Sequence, residues 1–213
     1  MALYDIVKAF DITHVAYLIM VMECMSFPEQ FRSWIQMLHR GATTKLLLRE
    51  GKLSDPINIT VSERQGDPWA MTGYILQFEP FLRALEKAVT GITLGLPRVT
   101  LTQNPGSYTE RGPGFADDYG IVTTNEQDLK TVDEMSKRYE EQSGALLSRN
   151  NKSKVIFLGA LKNPTKRPAL PVQYLKEVTE CKVFGFIVKD TVQETIERTW
   201  QSRLNNMRQK FIQ

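Results

Sequence analysis

The sequence predicts an α+β chain: a mainly antiparallel sheet with helices packed on one face. Three observations predict it. Strand-like and helix-like segments come in mixed order. Two apolar or β-branched runs flank a polar, Gly-containing turn, as the arms of a hairpin do. The 213 residues are 42% hydrophobic and 24% charged, the composition of an ordinary globular protein able to bury a core.

Ala2–Val7 reads as a short buried strand, followed by a helical segment. Pro28 to Arg40 is an amphipathic helix, with Phe31, Trp34, Ile35 and Leu38 at helical spacing. Thr44–Arg49 and Ile57–Val61 form the hairpin. Pro68 suits the first turn of the next helix, whose inner face is Ile75, Phe78, Leu82 and Leu85. Gly91 to Thr124 has strand-and-turn chemistry, with a loose loop around Asn104–Pro113. Glu126 to Gln142 returns to helix and carries Leu129, Val132, Met135 and Tyr139 inward. Val155–Leu158 and Val183–Val188 are strands. Thr191 and Glu194 make a capping box for a last helix bearing Ile196, Trp200, Leu204, Met207 and Phe211. That helix reaches Gln213 with no Gly or Pro stop signal, and the first strand starts almost at Met1, so both ends read as cut from something larger.

The net charge of +3 conceals an asymmetry. Residues 1–136 carry 12 Lys and Arg against 17 Asp and Glu, whereas residues 137–213 carry 15 against 7. The basic C-terminal third is a candidate footprint for a polyanion such as nucleic acid, and fits a solvated basic surface equally well. Two cysteines, Cys24 and Cys181, and two histidines, His14 and His39, offer neither a disulfide framework nor a zinc site nor a Ser-His-Asp triad. A metal would be held by carboxylates, which favours a hard ion such as Mg²⁺. No apolar run is long enough to span a bilayer. The lack of an export signal points to an intracellular site, without separating nucleus from cytoplasm.

Three segments carry chemistry. In the first, Asp5 leaves the end of a strand, followed by Lys8, Ala9, Phe10, Asp11 and His14. The second is Arg64-Gln65-Gly66-Asp67-Pro68, a polar turn leading into a helix. The third is Phe115-Ala116-Asp117-Asp118-Tyr119, two adjacent carboxylates between the arms of a hairpin. Paired aspartates in apolar surroundings repel each other and lose solvation. A cation offsets that cost, and a third carboxylate from Asp5 would complete a two-ion site. Two such ions roughly 3.5–4 Å apart clamp the attacking and leaving oxygens of a phosphoryl displacement. A bare Asp-Asp turn also fits a solvated hairpin tip.

In this order, with 59 residues from Asp5 to Arg64 and 53 from Arg64 to Asp117, the three segments resemble the reverse transcriptases of non-LTR (LINE-type) retrotransposons. Those enzymes carry D-x-x-K-A-F-D-x-x-x-H, R-Q-G-C/D-P and Y/F-A-D-D. His14 stands one position early, and Trp69-Ala70-Met71 replaces a common Leu-Ser-Pro. Ser143-Gly144-Ala145 with Asn150-Asn151-Lys152-Ser153 resembles the fourth motif in an adjusted register. Val183-Phe184-Gly185-Phe186 resembles the primer-holding hairpin, and Trp200 to Lys210 the start of the thumb.

The resemblance implies a polymerase palm over residues 1–189 and a partial thumb over 190–213. It implies RNA-directed DNA synthesis with two Mg²⁺ ions, a dNTP, an RNA template and a DNA primer; oligomeric state stays open. Asp5, Asp117 and Asp118 become metal ligands, joined by the backbone carbonyl of Ile6. Phe10 becomes the residue that excludes a 2′-hydroxyl, Gln65 and Gly66 line the nucleotide pocket, and Lys152 donates a proton to pyrophosphate. Phe10 also fits a core position and Lys152 a surface lysine. Asp11 reads as a helix cap and Arg64 as a brace for its turn. The family has a fingers region before its first motif, so this chain by itself is expected to extend a primer little. A second reading stays open: a palm-derived remnant that binds nucleic acid without catalysis, or has no function.

Overall fold

The computed structural model describes residues 1–7, 14–59, 67–95, 107–112, 114–115, 118–149, 152–167, 169–183, 185–189 and 191–211. Among them are five helices and several small sheets, mostly antiparallel, in the mixed order expected of an α+β chain. The chain divides into two compact units. The first comprises Met1–Asp5, Val89–Thr131 and Ser148–Gln213; the second comprises Ile6–Ala88 and Val132–Leu147.

The first unit is organised around residues 2–5 of β1 (Ala2–Val7). On one side runs β7 (Asp118–Ile121), antiparallel, with Ala2 opposite Ile121, Leu3 opposite Gly120, Tyr4 opposite Tyr119 and Asp5 opposite Asp118. β6 (Gly114–Phe115) pairs antiparallel with β7 and forms the edge. On the other side of β1 lies β9 (Lys154–Val155), antiparallel, which pairs in parallel with β10 (Lys176–Glu177). Side chains along β1 alternate between buried and half-buried, as a strand covered on one face requires. Tyr4 and Tyr119 are both buried and stack with ring centroids 5.0 Å apart. β1 is thus buried on one face only, and Asp5 lies on the other.

Gly112 fixes the approach to this hairpin. Its φ is +138°, and a Cβ there would stand 1.9 Å from the Gly120 carbonyl oxygen. Only glycine tolerates that contact, which lets the Val122 amide donate to the Arg111 carbonyl at 3.0 Å. A second hairpin pairs β4 (Ile92–Gly95) with β5 (Ser107–Glu110), so strand replaces part of the expected Asn104–Pro113 loop.

β11 (Cys181–Val183) and β12 (Phe186–Val188) form a third hairpin; the apolar run alone reads as one strand at Val183–Val188, whereas the resemblance implied a hairpin at Val183 to Phe186. It docks on the last helix through polar groups. The Ile187 amide donates to Thr199 Oγ1 at 2.9 Å, and the Lys189 amide to Thr195 Oγ1 at 3.0 Å. The helix runs Val192–Phe211 and starts with the expected capping box: Glu194 accepts from Thr191, and the Glu194 amide donates to Thr191 Oγ1. Ile196, Trp200, Leu204 and Met207 are all exposed, so the threonine face is the one that meets the hairpin. The strand expected at Val155–Leu158 stops at Val155, and a 3-10 turn follows at Gly159–Lys162.

The second unit is mainly helical. α1 (Val15–Cys24) and α2 (Glu29–His39) pack through Leu18, Met22 and Ile35, flanked by Phe27, Phe31 and Trp69. Only part of the α2 stripe is inward: Ile35 is buried and Phe31 half-buried, while Trp34 and Leu38 are exposed. The expected hairpin exists but its strands are short, β2 (Thr43–Thr44) and β3 (Ile57–Asn58), with one further bridge between Leu47 and Leu53.

α3 (Ala70–Ala88) begins after an Asp67 carboxylate that accepts from the Trp69 amide at 2.9 Å, so Pro68 precedes the helix. Its buried face is Tyr74, Gln77, Phe78, Phe81 and Leu85. Ile75 is exposed and Leu82 half-buried. Phe81 stacks on Tyr139 at 4.7 Å, within the C-terminal part of α4 (Glu126–Ser143). Burial pushes the Tyr139 phenol well above its ordinary range. Ile6 and Val7 pair with Leu147 and Leu146 of β8 (Leu146–Leu147).

Candidate active site

Period-two alternation decides where Asp5 points. Ala2, Tyr4 and Ile6 fill the buried face, so Asp5 turns to the other, with its side chain 29% exposed. Directly across the ladder stands the backbone of Asp118. Residues directly opposite in an antiparallel pair lie about 4.5–5.5 Å apart at Cα. The β6–β7 register sets Phe115 opposite Asp118.

The third contributor comes from the segment joining β8 to β9. Lys152 Nζ lies 3.4 Å from Asp5 Oδ2. The contact is ionic and does not meet hydrogen-bond geometry: Oδ2 is buried and takes no hydrogen bond from the described residues. The segment is held to β1 by the Ser148 amide, which donates to the Asp5 carbonyl at 2.8 Å. Ser153 Oγ closes it by donating to the Ser148 carbonyl at 2.8 Å, and both serines are buried. Ser148 belongs to none of the motifs, while Ser153 closes the Asn150-Asn151-Lys152-Ser153 match, and both hold the main chain of this segment. The available signal was two small hydroxyl residues bracketing a polar run between two apolar strands, which is turn chemistry. Arg149, in the same segment, lies over the Tyr174 ring at 5.7 Å.

Ile6 follows Asp5 on β1 with its side chain buried, opposite Leu147. Phe10, Asp11, Arg64, Gln65, Gly66 and Asp117 lie outside the described residues, as do Asn150, Asn151 and Phe184. His14 stands at the N-cap of α1, and its amide donates to the Ser143 carbonyl at 2.8 Å. Among the described residues no three His, Cys, Asp or Glu cluster as a metal site. One property of the described part does fit a cation: a buried carboxylate oxygen without a hydrogen bond, on a strand whose partner carries a second aspartate opposite. Oxygen donors of this kind suit a hard divalent ion.

Fold and site define a mixed α/β chain that brings carboxylate-bearing positions from two distant segments onto adjacent strands, with a lysine from a third. No family model matches the chain. Over 182 residues, 84% of its length, it is 29% identical to the Transposon TX1 uncharacterized 149 kDa protein of Xenopus laevis. The chain is therefore related to a transposon protein, and the matched stretch spans 13% of that protein's length. No described helix is long and apolar enough to cross a membrane.

Proposed function

We propose that this chain is the palm region, with the start of a thumb, of a retrotransposon reverse transcriptase of the non-LTR type. The observation that carries the reading is the β1–β7 register. It sets Asp5 directly opposite Asp118, from motifs that the sequence separates by more than half the chain. Similarity to a transposon protein over most of the chain supports it independently.

In this reading Asp5, Asp117 and Asp118, with the Ile6 carbonyl, hold two Mg²⁺ ions. Bound there, the ions would supply charge stabilisation to the attack of a primer 3′-hydroxyl on the α-phosphate of a dNTP, the hydroxyl proton passing to solvent and pyrophosphate leaving. The chain's own residues do the positioning, on which phosphoryl transfer chiefly depends. β1 and β7 set Asp5 and Asp118 opposite each other on one ladder. Phe10 excludes a 2′-hydroxyl, and Gln65 and Gly66 line the nucleotide pocket. Lys152, already beside Asp5, gives its Nζ proton to the leaving pyrophosphate oxygen. The basic C-terminal third grips template and primer through their phosphates, so binding weakens steeply with salt.

The test is extension of a DNA primer on an RNA template with Mg²⁺, beside an Asp117→Ala chain. Extension that needs Mg²⁺ and is lost with Asp117→Ala supports the reading. Extension indifferent to that substitution contradicts it. Absence of both extension and salt-sensitive binding of the template–primer favours the inert remnant.

A further inference from the structure

If Asp5 belongs to a divalent-cation site, its contact with Lys152 has a role of its own, one that rests on the polymerase reading. We propose that Lys152 is a built-in competitor for the cation: its ammonium is the counter-ion of Asp5 until a divalent ion takes the same carboxylate oxygen and releases it.

Three observations carry the proposal. Asp5 Oδ2 is buried and takes no hydrogen bond from the described residues, while Lys152 Nζ is 3.4 Å away. A buried carboxylate oxygen without compensation is costly, so the ammonium stabilises it. A divalent ion on that oxygen would repel an ammonium at such a distance, so the two cannot share it.

The lysine's backbone is anchored while its head is not. Ser148 is held to Asp5, Ser153 Oγ holds the Ser148 carbonyl, and the Ser153 carbonyl accepts from the Lys176 amide at 3.2 Å. Lys154 then enters the ladder opposite Leu3. Against this fixed frame the Lys152 side chain is 66% exposed, so its head can leave the carboxylate without moving the strand. Once displaced it stays tethered beside the site. There an anion delivered with the cation, such as a di- or triphosphate, is the natural next partner. Cation and phosphate binding are thereby coupled through one charge, and Ser153 is the positioning residue that keeps it within reach.

The probe is Mn²⁺ alone, titrated by calorimetry into the wild-type chain and into Asp5→Asn, Lys152→Met and Lys152→Arg. Removing a half-screened competing charge should tighten Mn²⁺ binding about three- to tenfold in Lys152→Met. Lys152→Arg should stay near wild type, and Asp5→Asn should bind more weakly by about tenfold or more.

A second readout needs no Lys152 variant. Acetylation of Lys152, measured by mass spectrometry against Lys176, should rise when Mn²⁺ is added to the wild type and stay level in Asp5→Asn. Unchanged or weaker Mn²⁺ binding in Lys152→Met, with Asp5→Asn still impaired, overturns the competition and leaves the cation site standing. Labelling of wild-type Lys152 that ignores Mn²⁺ does the same. Wild-type Mn²⁺ binding in Asp5→Asn overturns the cation site and the competition together.

Discussion

Asp5 and Asp118 stand directly opposite each other on β1 and β7, and the same Asp5 is the ionic partner of Lys152. Three segments separate in sequence therefore meet at one position of a short strand. Both the scaffold that makes this meeting and the chemistry assigned to it can be tested residue by residue.

Gly112 guards the ladder that aligns Asp118. Gly112→Ala should destabilise the chain by about 2–4 kcal/mol, since both φ and the Gly120 carbonyl oppose a side chain. Gly41→Ala is the control. Gly41 also has a positive φ, +67°, but nothing lies within 4 Å, so about 1 kcal/mol of backbone strain is all it should cost. Urea denaturation of both variants decides it; equal losses would mean that the close approach to Gly120 carries no energy.

The third hairpin rests on α5 (Val192–Phe211) through Thr199. Thr199→Val keeps the shape and removes the acceptor of the Ile187 amide, at an expected cost of about 1–2 kcal/mol. Thr199→Ser should recover most of it. Hydrogen exchange at the Ile187 amide should quicken in the valine variant and return toward wild type with serine. Unchanged exchange in Thr199→Val would show that the hairpin stands without the helix.

Glu180 ties the same hairpin to α5 by charge. The Arg198 guanidinium, then Lys189, holds its carboxyl below the ordinary glutamate range. A depressed carboxylate pKa contributes stability above the unfolded-state value and loses it as pH falls through the folded-state value. Stability of wild type should therefore drop more than that of Glu180→Gln below about pH 4.5, the unshifted value. Identical acid limbs in thermal melts would show that Glu180 does not tie the hairpin to the helix.

Phe10 tests the sugar side of the proposed reaction. Phe10→Val, in a chain that extends a primer, should relax discrimination against ribonucleotides, because the ring no longer occupies the space of a 2′-hydroxyl. Relative incorporation of rNTP and dNTP measures this. An unchanged ratio in a folded variant would return Phe10 to a packing role.

Much of the architecture was legible because local chemistry agreed with it. β1 showed as an apolar run, the last helix as a capping box, and α4 as a periodic stripe ending in Tyr139. What failed was the reading of faces. Trp34, Leu38 and Ile75 sit at helical spacing yet are exposed, since spacing gives a stripe and not what covers it. On α5 two threonines face the hairpin while Trp200 stays exposed, because the amides of Ile187 and Lys189 need acceptors that leucine or tryptophan cannot provide.

At the candidate site the aspartates were legible as motif residues. Ser148 was not, since its contribution is a main-chain hydrogen bond that no motif encodes, and Ser153 was legible only as the last residue of the fourth-motif match.

If the polymerase reading holds, Asp5, Asp117 and Asp118 form a single two-cation site. Anomalous scattering from crystals of the chain grown with Mn²⁺ would locate the ions themselves. Two peaks about 3.5–4 Å apart are expected, bonded by the carboxylates of Asp5 and Asp117, with the Lys152 ammonium withdrawn from Asp5. Manganese bound elsewhere, or Asp5 and Asp117 on opposite faces of the sheet, would contradict it.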